Sequence, residues 1–259
     1  MGCNFQCEFC QNWQISQAAI EEGTINGQAI NPETIVAAAK RDGCNSIAYT
    51  YTEPTIFMEL CNDCGLLAKE HGMANIFVSN GFMTIEAIDF AAKWLDGINV
   101  DLKSFSDDFY TKLCKAKLQP VLDTISYIAK ETNIWMEITT LLIPGENDSD
   151  EELKKLADFL VNNAGPDVPW HVSRYYPQYK HLKSEPTPTE SLEKAYQIGK
   201  SAGLRYIYVG NVQGSKLEST FCYKCDELLI ERTGYRIIAN NIKDSKCPNC
   251  ETEIAGFEL

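Results

Sequence analysis

The sequence predicts an α/β fold in which six parallel strands alternate with helices, with a small four-cysteine module after them. Three observations carry this. Short apolar stretches rich in β-branched and aromatic residues recur between helical stretches of about 8–17 residues, the pattern of βαβ units. Glu53, Ser79, Asn80, Asp101, Lys103 and Arg174 fall at or just past the C-terminal ends of successive strands. Two Cys-x2-Cys knuckles, Cys222/Cys225 and Cys247/Cys250, lie near the end of the chain. Periodicity alone leaves a full barrel, a partial barrel and a doubly wound sheet open. The polar strand ends favour a barrel, whose C-terminal edge is where active sites are built.

The elements follow in order. Residues 13–30 show no clean period and contain Gly23 and Gly27, which reads as a loop. Asn31-Pro32-Glu33 opens a helix to about Asp42, with Asn31 as cap and proline at the first helical position. Strand 46–51 follows, then Thr52-Glu53-Pro54-Thr55 leads into a helix over 55–71. Strand 75–79, an Asn80-Gly81 turn, a helix over 84–94, strand 98–102, helices over 106–115 and 119–131, and strand 134–143 continue the series. Ser149-x-x-Glu152 is a capping box for a helix to about Asn163. Strand 169–175 precedes Thr187-Pro188-x-Glu190, read as the cap of a helix to Ala202. In that helix Leu192, Ala195, Tyr196 and Gly199 recur at helical spacing. Strand 205–209 is the sixth. The domain boundary is placed between a barrel, residues 1–212, and the cysteine module, residues 213–259.

A chain of 259 residues with 44% hydrophobic residues can bury a sizeable core. Its net charge of −13 argues against an electrostatic footprint for nucleic acid or an anionic membrane. No apolar run is long enough to span a bilayer and the N-terminus is polar, which predicts a cytoplasmic protein. The eleven cysteines cluster as metal-ligand motifs rather than as a disulfide framework. Cys61 and Cys64 fall inside a predicted helix among apolar neighbours and read as buried thiols, while Cys44 and Cys114 receive no role.

Cys3, Cys7 and Cys10 stand in a Cys-x3-Cys-x2-Cys loop, with Phe9 just before the third cysteine and Gln11-Asn12 just after it. Thiolates at this spacing can converge on one iron–sulfur cubane and leave its fourth iron open to a small molecule. Stray thiols or half of a zinc site are the alternatives. The motif resembles the signature of radical S-adenosylmethionine (SAM) enzymes, and Gln11-Asn12 narrows the likeness to the branch of pyruvate formate-lyase activating enzyme. The resemblance implies a partial (β/α) barrel of the radical SAM type and a 4Fe–4S cluster that cleaves SAM reductively. The 5′-deoxyadenosyl radical so formed would abstract hydrogen from an unidentified substrate. It further implies that Phe9, Asn12, Glu53, Ser79, Asn80, Asp101, Lys103 and Arg174 contact the cofactors. Glu53 takes the place of the family's Gly-Gly-Glu carboxylate that holds the SAM amino group, although Tyr51 and Thr52 replace the two glycines. Ser79-Asn80-Gly81-Phe82 and Asp101-Leu102-Lys103 match segments that line the SAM pocket. On the strand holding His171, alternation sends His171 and Ser173 to one face and Val172 and Arg174 to the other. Arg174 is favoured as a contact for the SAM carboxylate or substrate.

Cys222, Cys225, Cys247 and Cys250 have the spacing of a zinc ribbon, with hairpin strands expected over 227–231 and 235–239. Structural zinc is the favoured occupant, with rubredoxin-like iron as the alternative. Together with Tyr49–Thr55, Asn99–Phe105, Leu142–Gly145 and Pro169–Arg174, this module makes the whole chain resemble the AmmeMemoRadiSam system radical SAM enzymes. That likeness implies Memo-like and AMMECR1-domain proteins as partners, alongside an electron donor. Activation of a glycyl radical enzyme is the nearest rival function, and a non-enzymatic electron carrier or scaffold the second. Relatives carry a longer segment before the cysteine loop, including a first strand, and often valine where Met1 stands. The expectation is therefore a misassigned GTG start or a fragment.

Overall fold

A computed structural model describes all residues except 22, 24–26, 28, 213 and 258–259, and at 19 and 20 only the backbone. The elements run α1 (Trp13–Ser16), α2 (Ala18–Glu21), α3 (Pro32–Arg41), β1 (Ser46–Tyr49), α4 (Met58–Glu70), β2 (Ala74–Ser79), α5 (Ile85–Ala91), β3 (Gly97–Asp101), α6 (Asp107–Phe109), α7 (Gln119–Glu131), β4 (Trp135–Leu142), α8 (Asp150–Asn163), β5 (Trp170–Arg174), α9 (Thr189–Ala202) and β6 (Ile207–Gly210). After them come β7 (Thr220–Phe221), β8 (Leu228–Thr233) and β9 (Arg236–Asn240). A 3-10 turn, Pro54–Phe57, leads into α4, and a π-helical turn, Tyr110–Cys114, extends α6.

The first six strands form one sheet in the order β1-β2-β3-β4-β5-β6, and the last three form a second, antiparallel sheet. Sequential order with parallel pairing is the winding of a (β/α) barrel; a doubly wound sheet would reverse at a switch point. The doubly wound alternative is thereby removed.

Two sequence expectations are corrected. The loop expected over 13–30 contains α1 and α2 across residues 13–21, while its positions 22, 24–26 and 28 lie outside the described residues. Thr187 is not the cap of α9: Pro188 occupies that position without a side-chain bond. The Thr187 hydroxyl is fully buried, donates to the Leu142 carbonyl (2.5 Å) and accepts the Tyr175 N–H (2.8 Å). Two backbone groups at strand ends outbid the helix for that oxygen, because buried backbone groups must be paired.

The chain forms two compact units, Met1–Met136 with Pro177–Lys183, and Glu137–Tyr176 with Ser184–Leu259. In the first, Trp94 packs edge-on against Phe77 (5.4 Å) and Tyr49 (5.8 Å). Asn75 is fully buried there, yet it accepts the Tyr49 hydroxyl (2.9 Å) and donates to the Gly65 and Trp94 carbonyls. A buried amide so satisfied fixes how α4 and the segment after α5 lie on β2. Cys61 and Cys64 are fully buried on α4, as expected of structural thiols. In the second unit Trp170 is buried beside Gly199 of α9, where a Cβ would come within 2.9 Å of the indole. The cysteine segment shares a core with β6 and its approach: Tyr206, Cys222, Leu229, Ile230, Cys247 and Ile254 form one buried cluster, with Tyr208 packed on it.

Candidate active site and metal centre

The cysteine loop is fastened to the π-helical turn. Gln6 N–H donates to the Cys114 carbonyl (3.0 Å), Glu8 N–H to the Leu113 carbonyl (2.9 Å), and Cys10 N–H to the Cys7 carbonyl (3.2 Å). Between the cysteines, Phe5 and Phe9 turn inward. Phe5 meets Phe82 and Tyr110 edge-on, and Phe9 lies tilted on Phe109, so apolar burial holds the loop in shape. Asn12 sits exposed ahead of α1 and makes no side-chain cap bond.

Sulfur-directed polar groups surround the thiols. Phe5 N–H (3.4 Å) and Asn80 Nδ2 (3.7 Å) donate to Cys3 Sγ, and Ser16 Oγ lies 3.2 Å from Cys10 Sγ. Burial pushes the Cys3 thiol up to about 11. The neighbouring Cys114 thiol, and then burial, push Cys7 well above the ordinary thiol range. Lys103 lies beside them, bound to Asp101 (3.0 Å) with only 16% of its side chain exposed. Burial lowers its affinity for a proton, but Asp101, Cys7 and Cys114 outweigh burial and raise it well above the ordinary lysine range. These residues fit an iron–sulfur cluster. Three thiols on one short loop, N–H···S donors and a compensating cation are what a polyanionic cluster needs.

Glu53 organises the adjoining strand ends. Although it is 1% exposed, its Oε1 accepts Ser79 Oγ (2.8 Å), Thr55 Oγ1 (2.6 Å) and Thr55 N–H (3.1 Å), and its Oε2 accepts Asn80 N–H (2.8 Å). Burial nevertheless raises its carboxyl above the usual range. Asn80 Nδ2 also reaches Asn4 Oδ1 (2.6 Å), which ties the turn after β2 to the cysteine loop. That turn requires Gly81: its φ is +71°, and a Cβ there would stand 2.7 Å from Val100 Cγ1. Thus Cys3, Glu53, Ser79 and Asn80 share one connected network, and Cys7, Asp101 and Lys103 another.

Several residues near these networks carry no sequence signal. Thr52 Oγ1, next to Glu53 in the chain, is buried with no hydrogen-bond partner among the described residues. Cys114 abuts Cys7 and Ser16 bonds Cys10, and only folding brings these two there, whereas Asn4 lies within the loop and bonds Asn80. In the second unit, Arg174 Nε is buried without a partner among the described residues, and its guanidinium lies 5.1 Å from the Tyr176 ring centre. On β5, Trp170 and Val172 are buried, whereas His171 and Ser173 are half-buried. His171 Nε2 lies 2.7 Å from Glu137 Oε2.

The second metal-type centre is closed. The four sulfurs of Cys222, Cys225, Cys247 and Cys250 lie within 4.8 Å of one another, with Cys222–Cys250 and Cys225–Cys247 at 3.6 Å. Metal–sulfur bonds of about 2.3 Å place tetrahedral sulfurs about 3.8 Å apart, so this set suits one ion.

Comparison with known proteins agrees with this geometry. The sequence model of the Radical SAM superfamily matches residues 1–160. Uncharacterized protein MJ0808 of Methanocaldococcus jannaschii is 42% identical over 255 residues, covering 98% of this chain and 75% of that protein. From the same organism, MJ1632, whose name proposes a glycyl-radical enzyme activating enzyme, is 29% identical over 80% of this chain and 75% of its own length. Among solved structures, a domain of pyruvate-formate lyase-activating enzyme from Bacteroides vulgatus has a TM-score of 0.57 at 20% identity, covering 64% of this chain and 99% of that one. Streptococcus suis SuiB bound to S-adenosylmethionine has a TM-score of 0.64 at 15% identity over 83% of this chain and 49% of SuiB. At these identities both structures share the fold alone.

Proposed function

Because this chain belongs to the radical SAM superfamily, we propose that Cys3, Cys7 and Cys10 hold a 4Fe–4S cluster at which SAM is cleaved reductively. The observation that carries the proposal is the join between the cysteine loop and the strand ends, where Asn80 bonds both Cys3 Sγ and Asn4 while its N–H rests on Glu53. When bound, the cluster supplies an electron and SAM the 5′-deoxyadenosyl group that takes a hydrogen atom from substrate. The chain's own residues do the rest. Glu53 and Thr52 Oγ1 receive the SAM ammonium, Ser79 and Asn80 hold that pocket's wall, and Lys103 balances the charge of the cluster thiolates. Phe5 and Phe9 keep water from the cysteine loop. Arg174 is assigned to an anionic group, the SAM carboxylate or the substrate, because its Nε is buried without a partner among the described residues.

Within this chemistry the chain is placed with the AmmeMemoRadiSam system enzymes. The strand-end segments Thr52–Thr55 and Asp101–Lys103, combined with a C-terminal four-cysteine ribbon, support that placement. The ribbon is assigned structural zinc, since four thiolates close the coordination shell. Activation of a glycyl radical enzyme is the second reading, favoured by the likeness to MJ1632.

The test is anaerobic reconstitution with iron and sulfide, followed by dithionite and SAM. Release of 5′-deoxyadenosine by the wild-type chain, and its loss in C7S, is the expected result. A chain with an intact cluster that releases none overturns the reading.

A further inference from the structure

The second unit contains a cavity of about 1000 Å³ that none of the assignments above uses. One wall is the half-buried face of β4, β5 and β6, presenting Glu137, His171 and Tyr208. The opposite wall belongs to the cysteine module and presents Arg232 and Tyr235. A space of this size lined by aromatic rings and a few fixed polar groups is the form of a small-molecule site.

Its charges are unequal in one respect. Glu137 faces His171 at 2.7 Å, and Glu218 Oε2 accepts Gly234 N–H at 3.0 Å, so both carboxylates are engaged. Arg232 is half-buried, and among the described residues it has no carboxylate partner, in a chain of net charge −13. Its position is nonetheless fixed. Nη1 donates to Thr220 Oγ1 (2.6 Å), the guanidinium lies 5.5 Å from the Tyr208 ring centre, and the Tyr208 hydroxyl meets the same Thr220 oxygen at 3.0 Å. The β8–β9 register shifts between Glu231 and Arg232, an irregularity of the kind that re-aims a side chain. Thr220 and Tyr208 engage only part of the guanidinium, and its other N–H groups form a donor fork suited to a carboxylate or phosphate.

Beyond Arg232 the cavity offers flat surfaces. His171 stacks on Tyr208 at 5.1 Å, closing that side. At the rim Tyr176 is 43% exposed and Tyr235 fully exposed, so both have ring faces available. We infer that this cavity binds a small organic anion, a flat ring bearing a carboxylate or phosphate, with the anion on Arg232 and the ring between the tyrosines. The cysteine module then supplies the anion-binding group, in addition to its metal. The inference concerns binding within the second unit and does not depend on SAM cleavage.

The test is calorimetry on the full chain, loaded with its metals, titrated with phenyl phosphate, 4-hydroxybenzoate, phenol and inorganic phosphate. At least one aromatic anion is expected to bind at least tenfold more tightly than phenol and than inorganic phosphate. Arg232→Met should weaken that aromatic anion at least tenfold, and Arg232→Lys should recover part of the loss. Arg236→Met, on the exposed face of β9, should leave binding unchanged. Because Arg232 also braces Thr220, a second variant removes dependence on its folding: Tyr235→Ala should weaken the aromatic anion several-fold and leave inorganic phosphate unaffected. Equal binding of phenol and the aromatic anions overturns the inference, as does wild-type affinity in both Arg232→Met and Tyr235→Ala. Because 5′-deoxyadenosine release is assayed separately, failure here and failure of the cleavage reading are distinguishable.

Discussion

Glu53 shows how much one buried carboxyl is asked to do. Four hydrogen bonds favour its charged form, yet burial wins and its affinity for a proton is raised. The folded state therefore holds this proton more tightly than the unfolded state. Its contribution to stability is fully present below the ordinary carboxyl range and is lost as pH rises through the elevated value. A cationic ligand reverses the balance. SAM's ammonium favours the carboxylate, so SAM affinity should fall as pH drops through the raised pKa, with proton release on binding above that of the buffer alone. E53Q should lower SAM affinity about ten- to hundredfold, the worth of a hydrogen bond to a charged group, and should abolish that pH dependence. Equilibrium dialysis across pH checks this, and equal slopes for both proteins would refute the assignment. The strand-end placement of Glu53, Ser79 and Asn80 was legible because alternation and turn chemistry are local. Thr52 and Cys114 were not, since one is recognised only by a missing partner and the other only by its neighbour Cys7.

At the level of elements, Asn31 and Ser149 cap their helices as their local patterns indicate, each accepting an N–H three residues on. Thr187-Pro188-x-Glu190 has a similar pattern and does something else. Its hydroxyl clips the end of β4 to the residue after β5, partners 45 and 12 positions away that no local window contains. The same limit applies to the π-helical turn, whose free carbonyls accept from Gln6 and Glu8. Periodicity gave a plain helix over 106–115, because the extra residue per turn leaves the apolar spacing nearly intact. A clip of this sort has a measurable worth. T187V keeps the shape but removes the hydroxyl's bonds to the Leu142 carbonyl and the Tyr175 N–H, at about 1–3 kcal/mol each. Urea unfolding should therefore show a loss of about 2–6 kcal/mol, whereas T187S should stay within about 1 kcal/mol of the wild type. A T187V chain as stable as wild type would mean that water satisfies both groups.

Across the whole molecule, the two cysteine sets lie in different compact units. The four C-terminal sulfurs stand close enough for one ion, and two of them are part of an apolar core: Cys222 is fully buried and Cys247 1% exposed, beside Tyr206, Leu229 and Ile254. Removing that ion leaves thiols in the core, and burial pushes Cys222 up to about 12, so the bare site takes up protons. Binding must expel them, which makes affinity for the ion fall as pH falls. The N-terminal thiols, proposed to hold the iron–sulfur cluster, should instead depend on iron and sulfide. C247S should then lose the non-iron metal and keep iron, while C7S should lose iron and keep the other metal, as elemental analysis of anaerobically purified protein would show. In C247S, thermal unfolding should begin earlier, because a closed four-thiolate site contributes directly to folding. The ion of the wild-type ribbon should also pass to a chromogenic chelator progressively faster as the medium is made acid. If C7S and C247S each stripped both metals, the centres would be thermodynamically coupled, and the division of labour argued for the two cysteine sets would have to be abandoned.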